Sequence, residues 1–302
     1  MSFTLSVPGK TFLAGEYLAL KAGPVLVFAS QPRFELRVQK GQGALEGIHL
    51  DSPAGQLVKA HQDYFSGFDL KFIDPYQGKG GFGASTAQFL TVYAMYSWKD
   101  SVLHEPQKLL DIKSLLDTYQ KFAWNGQGYP PSGADLVGQL KGGWTLFDKG
   151  MGKVSSLSWT LADLDMVLVH TGNKLATHEH LRGLAEFPEK GLREVFEKIQ
   201  EGLLEGKSEV FVGGVNSYAE ALESLGLTCE PTLKLLAELR KVPGVKAVKG
   251  CGALGVDVVL IIFARNERKS LEQYLASQNL AVTTSRSQMS EGLEVHMGGS
   301  GL

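Results

Sequence analysis

Nine residues, Gly78-Lys-Gly-Gly-Phe-Gly-Ala-Ser-Thr86, hold four glycines, one lysine and two hydroxyls. They follow the short apolar run Leu70-Lys-Phe-Ile73 and lead into Ser85–Trp98, where apolar residues recur at helical spacing. So much backbone freedom between a strand and a helix serves either a sharp turn or a close approach of the backbone to a ligand. Gly78, Gly80 and Gly83 spell G-x-G-x-x-G, the dinucleotide fingerprint. That fingerprint needs a second strand soon after the helix, and the next periodic segment, Pro106 to Trp124, is helical again. Ser85 or Thr86 could simply cap the helix, which leaves the number of glycines unexplained. A phosphate cradle uses the whole segment. Small residues let successive N–H groups converge on an anion, and the helix start adds its positive end. A hydroxyl there can also ligate a magnesium ion held by the same phosphates. The Walker pattern G-x-x-x-x-G-K-[ST] is not matched.

The rest of the chain mixes strands and helices. Leu5 and Val7 start a strand, and Val25–Phe28 forms another. In Phe34-Glu-Leu-Arg-Val38 apolar and charged residues alternate, the period of a half-exposed strand. The prolines and glycines of GQGYPPSGAD, residues 126–135, read as a loop. Asp165–His170 and Gly255–Phe263 read as strands, with Leu280–Thr284 and Leu293–His296 as shorter ones. Leu192–Leu203, Val215–Leu225, Pro231–Lys241 and Asn266–Gln278 read as helices. Without a clean βαβ alternation the fold class is α+β rather than a doubly wound parallel sheet. The polar, turn-rich stretch Lys149–Ser158 divides the chain into 1–155 and 156–302.

A chain of 302 residues has room for two domains. Its net charge of −2 supplies no basic field for nucleic acid or an anionic membrane, so an anionic ligand needs a local basic pocket. No basic-then-apolar leader is read at the N-terminus, and no run approaches the roughly 18 apolar residues of a membrane span. Cys229 and Cys251 have neither metal-site nor redox spacing. A cytoplasmic monomer or homodimer is expected, with a small molecule as partner and neither nucleic acid nor membrane. His178 and His180 have no third ligand nearby and are not read as a metal site.

Two further segments change the weight of the first. Pro8-Gly-Lys-Thr-Phe-Leu-Ala-Gly-Glu-Tyr17 lies near the N-terminus, and Lys249-Gly-Cys-Gly-Ala-Leu-Gly-Val-Asp257 lies before the apolar strand of the second half. With GKGGFGAST between them, they resemble in order and character the three motifs of the GHMP kinase superfamily, P-G-K-x-x-L-x-G-E-[HY], G-L-G-S-S-A-A and K-x-x-G-A-G-G-G. The resemblance spans nearly the whole chain. It implies a two-domain kinase: an N-terminal ATP-binding domain (1–155) like ribosomal protein S5 domain 2, and a ferredoxin-like C-terminal domain (156–302). Pro131-Ser-Gly-Ala-Asp135, Gly126-Gln-Gly128, Thr171-Gly-Asn-Lys-Leu-Ala-Thr177 and Asp257 resemble strings of the family's phosphomevalonate kinases, the first of them equally those of mevalonate kinases. The implied activity is transfer of the γ-phosphoryl of ATP, with Mg2+, to phosphomevalonate in the mevalonate pathway of isoprenoid synthesis. Mevalonate is the alternative acceptor, and a non-catalytic binding protein of the same fold is the alternative from another class.

The same resemblance assigns roles. Lys10 would stabilise the transferring phosphoryl group. Asp135 would be the general base toward an alcohol, or would orient Lys10 if the acceptor is a phosphate that is already anionic. Gly81, Gly83, Ala84, Ser85 and Thr86 would face the ATP phosphates, with Ser85 also ligating the metal. Gly252 and Ala253 would line the transferred group. Glu16, Tyr17, Ser132, Gly133, Lys174 and Thr177 would surround the acceptor. The chain departs from the pattern at Phe82, Ala84 and Thr86, at Leu254 and Val256, where glycines are usual, and in having no acidic residue between Asp117 and Asp135. Lys79 receives no role.

Overall fold

The alternation read around Phe34 belongs to a much longer element. In the computed structural model, which describes residues 2–98, 110–172 and 187–298, β1 (Ser2–Ala14) and β2 (Pro24–Lys40) run antiparallel. Their register goes from Ser2 opposite Gln39 to Ala14 opposite Leu26, with shifts after Pro8 and Phe12. Leu5, Val7, Phe34 and Leu36 form the buried side of the pair.

β2 serves two partners. Its later half pairs with β4 (Phe68–Ile73), which is flanked by the short β3 (Leu45–Glu46). Its earlier half pairs with β5 (Trp144–Asp148), and β5 makes a hairpin with β6 (Lys153–Leu157). The stretch Lys149–Ser158, read from sequence as a divider, therefore holds a turn and a paired strand. Its polar residues sit on a half-exposed edge. α1 (Pro53–Ala60), the short α2 (Gln62–Phe65), α3 (Ala84–Ser97), α4 (Ile112–Ala123) and α5 (Ala134–Lys141) belong to this part of the chain. α3 and α5 pack directly on β1 and β2. α5 starts inside the stretch 126–135 read as loop: Gly133, in the left-handed region at φ 74°, ends the turn and lets the helix begin at Ala134.

The second sheet has the order β10–β7–β9–β8, with every pairing antiparallel: β7 (Leu164–His170), β8 (Val245–Cys251), β9 (Val258–Ala264) and β10 (Val282–Ser285). α6 (Glu189–Glu205) and α7 (Ser208–Ser224) pack together, and α7 lies against β8. α8 (Glu230–Leu239) and α9 (Arg268–Ser277) cover the opposite face. The unbroken apolar run of β9 follows from this sandwich. Leu260 and Ile262 face the main core, while Val259, Ile261 and Phe263 face Leu236, Leu271 and Leu275. β9 starts at Val258 rather than Gly255, because residues 252–256 form a tight turn first.

The chain then returns to its start. β11 (Glu294–Met297) pairs with β1, so the last strand lies in the first sheet. Arg33 secures the return by donating to the carbonyls of Glu291 and Gly292 and to Ser290 Oγ. No described helix is long and apolar enough to cross a membrane.

Candidate active site

Lys10 lies mid-strand in β1, almost fully buried. Its N–H donates to the Phe82 carbonyl (3.0 Å), tying the strand to the glycine segment. Its ammonium pairs with Asp135 Oδ2 at 3.0 Å and stands 4.5 Å from the centre of the Phe12 ring. Asp135 sits in the first turn of α5, where the helix N-terminus favours a carboxylate.

Glycine at position 83 is forced. Its φ is +83°, and a Cβ there would lie 2.8 Å from Lys10 Cε and 2.9 Å from Cγ. Gly83 is also the N-cap of α3, which no side chain caps. The capping role open to Ser85 or Thr86 is thus not used. Thr86 Oγ1 instead turns inward, bonded to Gln139 Oε1 (2.8 Å) and within 3.0 Å of the Gly83 carbonyl. Ser85 stays exposed. The first N–H groups of α3 therefore open beside the Lys10–Asp135 pair, an arrangement with the donors to receive an anion.

One turn beyond Asp135, the fully buried Gln139 donates to the carbonyls of Pro8 (3.0 Å) and Gly83 (3.1 Å). A single amide thus ties β1, the glycine segment and α5 together. Sequence reading missed it. The available signal was a polar residue at i+4 from Asp135 on an otherwise apolar helix.

Beside these groups lies a cavity of about 500 Å³, with Lys10 and Gln139 behind its wall rather than in it. Gly83, Ser85, Thr86 and Asp135 line it, as do Glu16, Tyr17, Ser132, Gly133, Gly252 and Ala253. Gly81 is not among the lining residues, and a Cβ there would meet Val258 Cγ2 at 2.7 Å, so its Cα packs against the second sheet. Ala84 opens α3 and is half-buried. Lys174 and Thr177 lie outside the described residues. Tyr119, Trp124 and Tyr129, which the sequence did not single out, supply an aromatic wall. Burial and the neighbouring Asp135 push the Tyr119 phenol well above its usual pKa, so it stays protonated. Trp124 Nε1 donates to the Gln127 carbonyl (2.9 Å), holding the loop that follows α4.

Behind the cavity wall, Lys249 of β8 is inaccessible to solvent and ion-paired with Glu16, which lines the cavity. Its ammonium also donates to the Gly250 carbonyl at 2.8 Å. Burial alone would lower the Lys249 pKa. Cys251 and Glu16 beside it outweigh that and hold it above the usual lysine value. Burial pushes the Cys251 thiol up to about 11, so at neutral pH it is protonated and inert, and Glu16 alone supplies the negative charge beside Lys249. Among the described residues no group of three or more His, Cys, Asp or Glu is placed to hold a metal ion.

No protein-family model matches the sequence, and no curated protein does. Solved structures match along almost the full length. The phosphomevalonate kinase of Streptococcus pneumoniae has a TM-score of 0.74 at 18% identity, covering 94% of this chain and 99% of that one. The same enzyme in complex with phosphomevalonate and AMPPNP gives 0.72 at 17%, covering 93% and 98%. The galactokinase of Lactococcus lactis complexed with galactose gives 0.75 at 14%, covering 97% and 95%, and the mevalonate kinase of Methanococcus jannaschii gives 0.70 at 16%, covering 95% and 98%. At these identities the shared property is architecture: the chain has the α+β GHMP kinase fold.

Proposed function

We propose that this chain is an ATP-dependent small-molecule kinase of the GHMP superfamily, with residues 1–155 as its ATP-binding domain and phosphomevalonate as its acceptor. The observation that carries the reading is the 3.0 Å pair of Lys10 and Asp135 beside the uncapped start of α3, on a cavity that Gly252 and Ala253 close from the other side. In this reading the first N–H groups of α3 hold the ATP phosphates. Lys10 neutralises the charge that develops between donor and acceptor oxygens. Asp135 keeps the lysine head aimed at that point. A phosphate acceptor is largely anionic near neutral pH, so it needs little help from a base.

The donor set fits magnesium held by ATP. Ser85 and Asp135 bring a hydroxyl and a carboxylate to the cavity wall, oxygens of the kind magnesium uses together with phosphates. Ser85 would hold the ion, which when bound would offset charge on the β- and γ-phosphates.

Phosphomevalonate is favoured by Gly126-Gln-Gly128, by the string 171–177 and by Asp257. A matching fold has been solved with phosphomevalonate and AMPPNP bound. One observation favours mevalonate as a second reading. Among the described residues lining the cavity, the charged side chains are the carboxylates Glu16 and Asp135, a setting kinder to the less charged acceptor, toward which Asp135 would act as base. An ADP-release assay run in parallel with mevalonate, phosphomevalonate, homoserine and galactose separates the readings. Turnover of phosphomevalonate is expected. Turnover of mevalonate alone moves the assignment to the second reading. Turnover of none, with no rise in melting temperature on adding ATP, contradicts a kinase and favours a binding protein.

A further inference from the structure

Leu254 sits in the left-handed region, at φ 52° and ψ 15°. The Cβ of an L-residue crowds the backbone there, and glycine is the residue that escapes the crowding. A leucine keeps such a conformation only where its surroundings dictate it. Both backbone groups of Leu254 are held by partners from distant parts of the chain. Its N–H donates to the hydroxyl of Tyr17 (3.0 Å), 237 residues away in sequence. Its carbonyl accepts from the N–H of Cys229 at the start of α8 (3.0 Å).

The rest of the turn is equally committed. Gly255 N–H donates to the Gly252 carbonyl (3.1 Å) and Val256 N–H to the Ala253 carbonyl (3.3 Å). Behind it, a Cβ on Gly250 would come within 2.8 Å of Gly255 Cα, so the turn lies back to back with β8. Tyr17 is itself fixed. It is 2% exposed, its hydroxyl also reaches the Leu227 carbonyl (3.5 Å), and its ring meets Phe187 edge-on. Its chain neighbour Glu16 is anchored by Lys249. Burial, only partly offset by the Leu254 N–H, pushes the Tyr17 phenol up to about 12, so the hydroxyl stays protonated across the physiological range.

With the N–H groups of residues 254–256 engaged inside the clamp, Gly252 and Ala253 are the part of the turn that meets the cavity. We propose that Tyr17 is a positioning residue: its hydroxyl holds Leu254 in a backbone conformation that a glycine would adopt unaided, and so aims Gly252 and Ala253 at the transferring group. The catalytic half of this inference rests on the kinase reading, while the clamp itself does not. It also accounts for how a turn carrying leucine where glycine is usual still presents two small residues to the site.

The test is a four-member set: wild type, Tyr17→Phe, Leu254→Gly and the double variant. Each is measured for ADP release and for amide hydrogen exchange across residues 252–256. Tyr17→Phe is expected to lower kcat by about tenfold, the order of one lost hydrogen bond, with KM for ATP and acceptor little changed. It should also speed exchange of the Leu254 amide. In the Leu254→Gly background the same substitution should cost less than about threefold, because glycine needs no clamp. An equal loss of kcat in both backgrounds would overturn the inference, since Tyr17 would then act through packing or by touching the acceptor. Unaltered exchange at Leu254 in Tyr17→Phe would overturn the clamp directly. If the wild type turns over none of the four acceptors, the kinase reading fails on its own, and the exchange measurement still decides the clamp.

Discussion

Glu16 and Lys249 come from opposite ends of the chain and form an ion pair in the interior, with side chains only 4% and 1% exposed. The pair joins the end of the first motif to β8 of the second sheet. Two buried charges gain little net stability, because their desolvation offsets their attraction, but a single buried charge left behind is costly. Lys249→Met should therefore destabilise the protein by about 3–5 kcal/mol, whereas the double variant Glu16→Gln, Lys249→Met should lie close to wild type. Urea unfolding of the three proteins measures this. A double variant as unstable as the single one would show that the pair contributes through packing rather than charge.

Gln139 is expected to matter more than its place behind the cavity wall would suggest. Gln139→Leu removes the donor from the carbonyls of Pro8 and Gly83 and the acceptor from Thr86. A loss of about 1–3 kcal/mol is expected for the buried groups left unpaired. Because the same amide sets Lys10 against α3, kcat should fall further than stability alone explains. Wild-type kcat in a folded Gln139→Leu protein would contradict the arrangement.

Gly83→Ala tests the contact between Lys10 and the glycine segment. The new Cβ meets Lys10 Cε at 2.8 Å, and the backbone carries φ +83°. The conformational cost alone is about 1–2 kcal/mol. The displaced lysine should cost ADP release while leaving far-UV circular dichroism unchanged. Activity equal to wild type would mean that Lys10 does not depend on this contact.

Acid stability should depend on Asp165. This carboxylate, 4% exposed, accepts from Arg268 (2.8 Å), Arg286 (2.9 Å) and the Met166 N–H (2.9 Å). Burial would raise its pKa, but those three donors outweigh burial and hold it below the usual carboxylate value. A carboxyl depressed on folding stabilises the native state fully above its unfolded pKa, near about 4, and the contribution is lost as pH falls through the folded value. Asp165→Asn should thus be less stable than wild type at pH 7, and the difference should narrow as acid is added below pH of about 4. Urea midpoints across that range check the sign. A difference that is constant with pH contradicts it.

The glycine segment was legible because each demand on it is local: a strand end, a left-handed residue at Gly83 and an uncapped helix. The apolar run of β9 was legible for the same reason, apart from its first residues, where a turn with Gly252 and Gly255 at positive φ replaced the expected strand. α5 was hidden by the prolines and glycines just before it, and β6 by its polar edge. Lys249, which heads the third motif, and Gln139 drew no role of their own, because their importance lies in partners 233 and 131 residues away. Composition and spacing do not report such distances. The clamp between Tyr17 and Leu254 was invisible for the same reason. Only the missing glycine at position 254 hinted at it.

Lys10 is the centre of the proposed phosphoryl transfer. ADP release by Lys10→Met, measured with the acceptor that wild type prefers, should fall by about 10²–10³, the effect of removing one preorganised charge from a transition state. The ATP-induced rise in melting temperature should persist, since in the proposed reading the start of α3 still meets the phosphates. Turnover within about twofold of wild type in that variant would contradict the assignment of the Lys10–Asp135 pair as the centre of phosphoryl transfer.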